Sequence, residues 1–167
     1  MERVGGATEF AATAVFPLET ALASVSLLAA GVLEKFPRLR ILLSHGGGAL
    51  PWILPRMDFG WSLGVKGRMT RSPSTLARQF WYDTILYDPM SLSFLGNAMG
   101  DDRIVVGSDY PFAIRQKQPA TFARKALSSD AISAENAFAF LGRPYAVEVL
   151  GSTGLEAEIG RGSQAHG

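Results

Sequence analysis

The chain has 167 residues, 47% of them hydrophobic and 19% charged, with a formal net charge of +1. That balance supports one globular domain with a sizeable core; it excludes a disordered chain and leaves no charged block to mark a nucleic-acid or anionic-membrane surface. Cysteine is absent, which removes disulfides and thiolate metal centres.

Residues 1–16 are weakly patterned. Gly5-Gly6 opposes a long helix, and residues 9–15 have room for a short one. Met1 leads straight into this segment without the turn and strand that open a complete α/β domain, so an N-terminal part is expected to be missing. From Pro17 the apolar residues Ala21, Val25, Leu28 and Val32 recur at helical spacing, with Leu22, Ala29 and Leu33 beside them, until Pro37 stops the helix. The wide apolar arc predicts a largely buried helix. The uncharged helical stretch, residues 20–33, falls short of the about 20 residues of a spanning helix, and no basic segment precedes it. A soluble, cytoplasmic protein with no membrane or nucleic-acid partner is expected.

Residues 39–44 form an apolar run without alternation, the pattern of a parallel strand covered on both faces. The run ends at His45, and Gly46-Gly47-Gly48 then allows a tight turn and close approach to a ligand. The glycines lack the spacing and lysine of a phosphate loop. Residues 49–62 read as a helix. Pro51 suits its first turn, whereas Pro55 predicts a kink or break. A basic loop, residues 64–73, precedes a helical turn over 74–78. Residues 80–87 are the next strand, Asp88-Pro89 starts a helix and Gly100 closes it. Residues 103–108 form the third strand and end beside Asp109. Residues 119–127 are helical, Asp130 can cap a helix through Leu141 that Gly142 stops, and the chain from 151 reads as a flexible tail. Alternating helices and strands predict an α/β fold with a parallel sheet. Three strands are too few for a closed eight-stranded barrel, which needs about 250 residues.

In parallel α/β sheets, reacting side chains gather at the C-terminal strand ends. His45 and Asp109 both fall there. An imidazole and a carboxylate can share a divalent metal, or the imidazole can transfer protons near neutral pH. A satisfied loop histidine and a turn aspartate are the alternatives. Arg56 can take a carboxylate bidentately or lie in solvent. Asp83 is a structural hydrogen-bonding residue or a chemical one. Trp52, Trp61 and Trp81 are expected to be packing residues, and His166 lies in the tail.

The segments 36–39 (Phe-Pro-Arg-Leu), 45–51 (His-Gly-Gly-Gly-Ala-Leu-Pro), 56–58 (Arg-Met-Asp), 87–92 (Tyr-Asp-Pro-Met-Ser-Leu), 107–112 (Gly-Ser-Asp-Tyr-Pro-Phe) and 136–142 (Asn-Ala-Phe-Ala-Phe-Leu-Gly) occur in one order. In that order and spacing the chain resembles the C-terminal half of the aminocarboxymuconate-semialdehyde decarboxylase family of the amidohydrolase superfamily, from about residue 17 to 142. The resemblance implies a partial TIM-type (β/α) barrel over residues 1–150, followed by a flexible tail over 151–167. It implies a metal-dependent, non-oxidative decarboxylase of an unsaturated or aromatic carboxylic acid, in tryptophan degradation or a related aromatic route. His45 matches the histidine that activates metal-bound water, Asp109 a metal ligand, Arg56 an arginine reaching substrate across a dimer interface, and Phe112 a pocket aromatic. The implied cofactor is a divalent metal, zinc in the first instance. Its site is incomplete in this chain, because the family's His-x-His and its fifth-strand histidine have no counterpart. The implied partners are a small carboxylate substrate and either a homodimer mate or a missing N-terminal half. A chain of this kind is expected to be weak or inactive alone. A hydrolase of a lactone or amide, and a non-catalytic remnant or assembly module, are the alternatives.

Overall fold

The computed structural model describes residues 10–127 and 134–144. A π-helical segment, Ala11–Val15, runs into α1 (Phe16–Ala29), and α2 (Val32–Lys35) follows. Then come β1 (Leu42–Leu43), a 3₁₀ turn at His45–Gly47, α3 (Leu50–Ser62), α4 (Pro73–Ala77) and β2 (Trp81–Asp83). Next are α5 (Pro89–Met99), a 3₁₀ turn at Asp101–Arg103, β3 (Ile104–Val105), α6 (Pro119–Ala126) and α7 (Glu135–Leu141).

The three strands pair in parallel in chain order, β1-β2-β3, with Leu42 opposite Trp81, Leu43 opposite Tyr82, and Tyr82 opposite Ile104. This is the expected parallel α/β sheet, but each strand is only the middle of its apolar run. The ladder stops where the backbone turns left-handed or sharply away, beginning at His45 in the first strand. The core lies under the sheet and between the helices: Leu28, Leu50, Leu54, Phe80, Leu92 and Ile104 are buried completely or nearly so. Burying a side chain of this size is worth about 1.5–3 kcal/mol. Tyr82 joins them because its hydroxyl donates to the Ala77 carbonyl at 2.8 Å. A buried hydroxyl without such a bond would be costly.

The helix starts follow the expected chemistry. Ser72 accepts from the Thr75 N–H at the start of α4, and Asp88 accepts from the Ser91 N–H at 2.8 Å at the start of α5. Gly100 ends α5 at φ 99°. The Asp130 cap lies outside the described residues, as does the 151–167 tail with His166.

Three expectations change. The helix from Pro17 does not reach Pro37 unbroken: Gly31, at φ 67°, separates α1 from α2. There the Arg68 N–H reaches the Ala29 carbonyl at 2.8 Å, so the loop folds over the helix end. Nor is α1 largely buried. Only Ala21, Ser24 and Leu28 are inside, while Phe16, Leu18 and Leu22 face outward. The continuous run Ala11–Ala29 is also long and apolar enough, by length and composition, to cross a membrane. The uncharged-stretch count missed this because Glu19 interrupts it. Its inner face is packed in the domain against the His45 turn and α3. Finally, α3 passes through Pro55 without a break. Pro55 is exposed, and the bond it cannot make would reach residue 51, still in the first turn.

Candidate active site

The strands deliver three residues to one end of the sheet. His45 follows β1, Tyr87 follows β2 and Asp109 follows β3, and all three hold a left-handed backbone, at φ 57°, 60° and 63°. These are the positive-φ non-glycine residues among those described. Such conformations persist where surrounding structure imposes them, and they cluster at functional sites. All three line one cavity of about 330 Å³, together with Thr13, Pro17 and Ile85. The convergence of His45 and Asp109 is thus a geometric fact of the fold.

The His45 turn is clamped from below. Asp83, buried at the end of β2, accepts from the Gly46 N–H at 2.8 Å and the Ile85 N–H at 3.1 Å through one carboxylate oxygen. Burial pushes the Asp83 carboxyl up, against the opposing pull of the Gly46, Ile85 and His45 N–H groups. Asp83 is therefore a latch beneath the mouth rather than a group within it. Thr84 performs the same office toward β3: it donates to the Gly107 carbonyl at 3.3 Å and accepts from the Gly107 N–H at 3.1 Å. The glycine run is packed rather than open. A side chain at Gly47 would meet the Tyr82 ring, and one at Gly48 would overlap the Pro17 carbonyl. The directions that a Cβ would take are filled by the chain itself, while the Gly48 backbone still borders the His45 cavity.

His45 Nδ1 is buried and has no hydrogen-bond partner. A buried ring nitrogen in that state calls for a partner the described residues do not supply. The Asp109 loop, by contrast, is tied down. Phe112 N–H donates to the Asp109 carbonyl at 3.0 Å and Gln116 N–H to the Ser108 carbonyl at 2.8 Å, around a cis Tyr110–Pro111 bond. The Tyr87 phenol is pushed up, first by burial and then by the Asp109 charge beside it, so it stays protonated near neutral pH.

The other expected site residues lie elsewhere. Arg56 is exposed on α3 and lines a separate cavity with Met57, Val65 and Met69. Phe112 is 59% exposed and does not line the His45 cavity. Trp52 corrects its expected packing role: it is 76% exposed, its ring 5.7 Å from that of Phe94. With Met90 and Phe94 it borders an apolar groove of about 380 Å³ that shares Gly48 and Leu86 with the His45 cavity. Tyr87 is the residue the sequence reading missed. Its only signal was its place at the end of the second strand run, where Tyr looked like one more strand residue.

Among the described residues no three metal-ligating side chains come together. One imidazole and one carboxylate at the mouth do not hold a divalent metal on their own, since such sites usually take three protein ligands or more.

The family model described as amidohydrolase matches residues 5–143. The chain is 39% identical over 101 residues to the 2-amino-3-carboxymuconate-6-semialdehyde decarboxylase of Caenorhabditis elegans, which covers 59% of this chain and 25% of that protein. It is 35% identical over 101 residues to the 6-methylsalicylic acid decarboxylase of Penicillium expansum, covering 59% and 31%. The chain therefore spans about a quarter to a third of these curated relatives. The crystal structure of a dihydroxybenzoic acid decarboxylase from Polaromonas sp. JS666, with bound manganese and 2-nitroresorcinol, superposes with a TM-score of 0.68 at 25% identity, over 78% of this chain and 42% of that one.

Proposed function

We infer the chemistry from one premise: the chain belongs to the amidohydrolase family. The reading supported best is a part of a metal-dependent, non-oxidative decarboxylase acting on an aromatic or unsaturated carboxylic acid. The observation that carries it is the shared cavity of His45 and Asp109 at the C-terminal ends of parallel strands. The three strands are then one arc of a larger (β/α) barrel, whose chemistry sits at that face.

In this reading the bond from carbon to carboxylate breaks and its electron pair stays on the substrate carbon. A proton from the His45 imidazole replaces the carboxylate there, and carbon dioxide leaves. The imidazole regains its proton from solvent. Asp83 holds the turn that carries His45. Asp109 is one ligand of a divalent metal, manganese or zinc, completed by donors beyond the described residues. Arg56, which lines a separate cavity, serves the site of a second copy, and Phe112 lines the part of the pocket that the rest of the barrel completes. The carboxylate named for the Caenorhabditis relative would place the chain in tryptophan breakdown; the aromatic acids named for the others favour a broader aromatic class.

The test is release of labelled carbon dioxide from a panel of carboxyl-labelled aromatic acids and aminocarboxymuconate semialdehyde, with manganese or zinc. It is run on the chain alone and mixed with the first half of a family barrel. Release from the mixture, reduced about 10²–10⁴-fold in His45→Gln, supports the reading. Acid release from lactones or amides without carbon dioxide would replace it with hydrolysis. Neither product from either preparation would leave an assembly module.

A further inference from the structure

A helix on the surface of a domain needs one apolar stripe, and α3 has two. The inner stripe, Leu50 and Leu54 with Met57 and Trp61, packs into the core. The outer stripe is Trp52, Arg56, Phe59 and, at the helix end, Leu63. Its alternating steps of four and three residues are the spacing of one helix packed on another. Yet Phe59 is 66% and Leu63 70% exposed, as Trp52 is. A hollow flanks the stripe on each side: the groove of Trp52, Met90 and Phe94, and the cavity of Arg56 and Val65.

Completing the sheet does not cover this face. The strands that α3 and α4 connect, β1 and β2, already pair with each other, and the free edges lie at β1 and β3. Chain added at either edge lengthens the sheet and leaves the outside of the β1–β2 crossover bare. The patch is also too large to be idle. Trp52, Phe59, Leu63, Val65, Met90 and Phe94 are all exposed. At on the order of 100–150 Å² apiece they reach roughly the 800 Å² per partner of a standard interface. A second copy supplies what the spacing asks for, because a two-fold axis brings the same helix face and the same hollows to both sides. Charge fixes the direction. A parallel pair sets Arg56 against Arg56, which like-charge repulsion opposes. An antiparallel pair separates the two cations, carries each onto the other copy's surface and sets Trp52 against Leu63.

We propose that the outer face of α3 docks a second copy of this chain, the two α3 helices packing antiparallel about a two-fold axis. The inference deepens the proposed function, in which Arg56 serves a second copy, by naming the surface that brings the copies together. It involves neither metal nor substrate.

The test is sedimentation velocity of the unaltered chain, Phe59→Asp and Leu22→Asp, the last placing the same charge on the exposed side of α1. The unaltered chain and Leu22→Asp are expected to sediment as dimers. Phe59→Asp is expected to raise the dimer Kd on the order of 100-fold or more, since the lost contact occurs twice in a two-fold pair. The chain has no cysteine, so introduced ones report the pairing whatever Phe59→Asp does to folding. Trp52→Cys mixed with Leu63→Cys is expected to form a disulfide-linked pair. Neither is expected to link to itself, because the two positions lie about 16 Å apart along the helix. A monomeric unaltered chain, a dimer that Phe59→Asp leaves intact, or self-linked Trp52→Cys would each overturn the inference. A dimer dispersed by phosphatidylcholine vesicles, or by the first half of a family barrel, would give the face to that partner and overturn it too. None of these outcomes reads carbon dioxide release, so the proposed function stands or falls separately.

Discussion

The two ends of the sheet are built to different standards. At the base, polar groups find partners and rings meet edge to face. Asn136 at the start of α7 is buried and donates to the Asp101 carbonyl at 2.7 Å and the Ile104 carbonyl at 2.8 Å. Trp81 is buried with its ring 5.8 Å from Phe140 and the Arg103 guanidinium 5.0 Å from its face. At the mouth, three non-glycine residues are left-handed, a ring nitrogen of His45 has no partner, and Trp52 stands in solvent. One end spends its side chains on holding the sheet together. The other leaves them strained and open, the state expected of groups that await a ligand.

Substitutions should separate the two ends. The largest stability effect belongs to the base. Asn136→Ala removes the side-chain donor to the Asp101 carbonyl and to the buried Ile104 carbonyl, and it is expected to cost about 1–3 kcal/mol, or about 2–4 °C of Tm for each kcal/mol. Binding of an aromatic acid by the folded fraction should stay the same. A melt and a calorimetric titration check both, and weakened binding would blur the contrast between the ends.

A smaller effect tests the latch between them. The Asp83 carboxyl is raised by burial, so the folded chain holds its proton more tightly than the unfolded chain. Where the folded state binds more protons, stability falls as pH rises. Asp83 thus costs stability above its raised pKa, and that cost fades as pH drops through it toward the usual value of 3.8. Asp83→Asn keeps an oxygen to accept from Gly46 and Ile85 and has no charge to bury. It is expected to melt above the unaltered chain at pH 7, with the gap closing as pH falls toward 3.8. A gap that widens on acidification would reverse the sign of the Asp83 shift.

Much of this architecture is legible in the sequence. The three apolar runs give three parallel strands in chain order, and Asp88, Gly100 and Gly142 bound their helices as their chemistry dictates. His45 and Asp109 could be placed near strand ends because each closes an apolar run, although the paired strand stops short of the end of that run. What escaped depends on partners that periodicity does not encode. The α1 pattern shows how wide its apolar arc is, but not that only the Ala21–Ser24–Leu28 side finds a neighbour. Pro55 looked like a break because a local rule cannot tell an exposed position whose lost bond falls in the first turn from a buried middle one. Tyr87 was hidden because its φ is imposed by how β2 meets α5, against its own preference. Phe112 came from resemblance rather than from the residue pattern, and neither it nor Arg56 shares the cavity.

The central claim is that His45 and Asp109 face one another across a single mouth. Manganese titrated into the isotopically labelled chain tests it most directly, because paramagnetic broadening reports distance from the ion even when binding is weak. The account predicts that the His45 ring signals and the Asp109 amide broaden together at the lowest metal concentrations, ahead of Asn136 at the base. Broadening at Asp109 with the His45 ring untouched, or first at acidic groups remote from both, would contradict it.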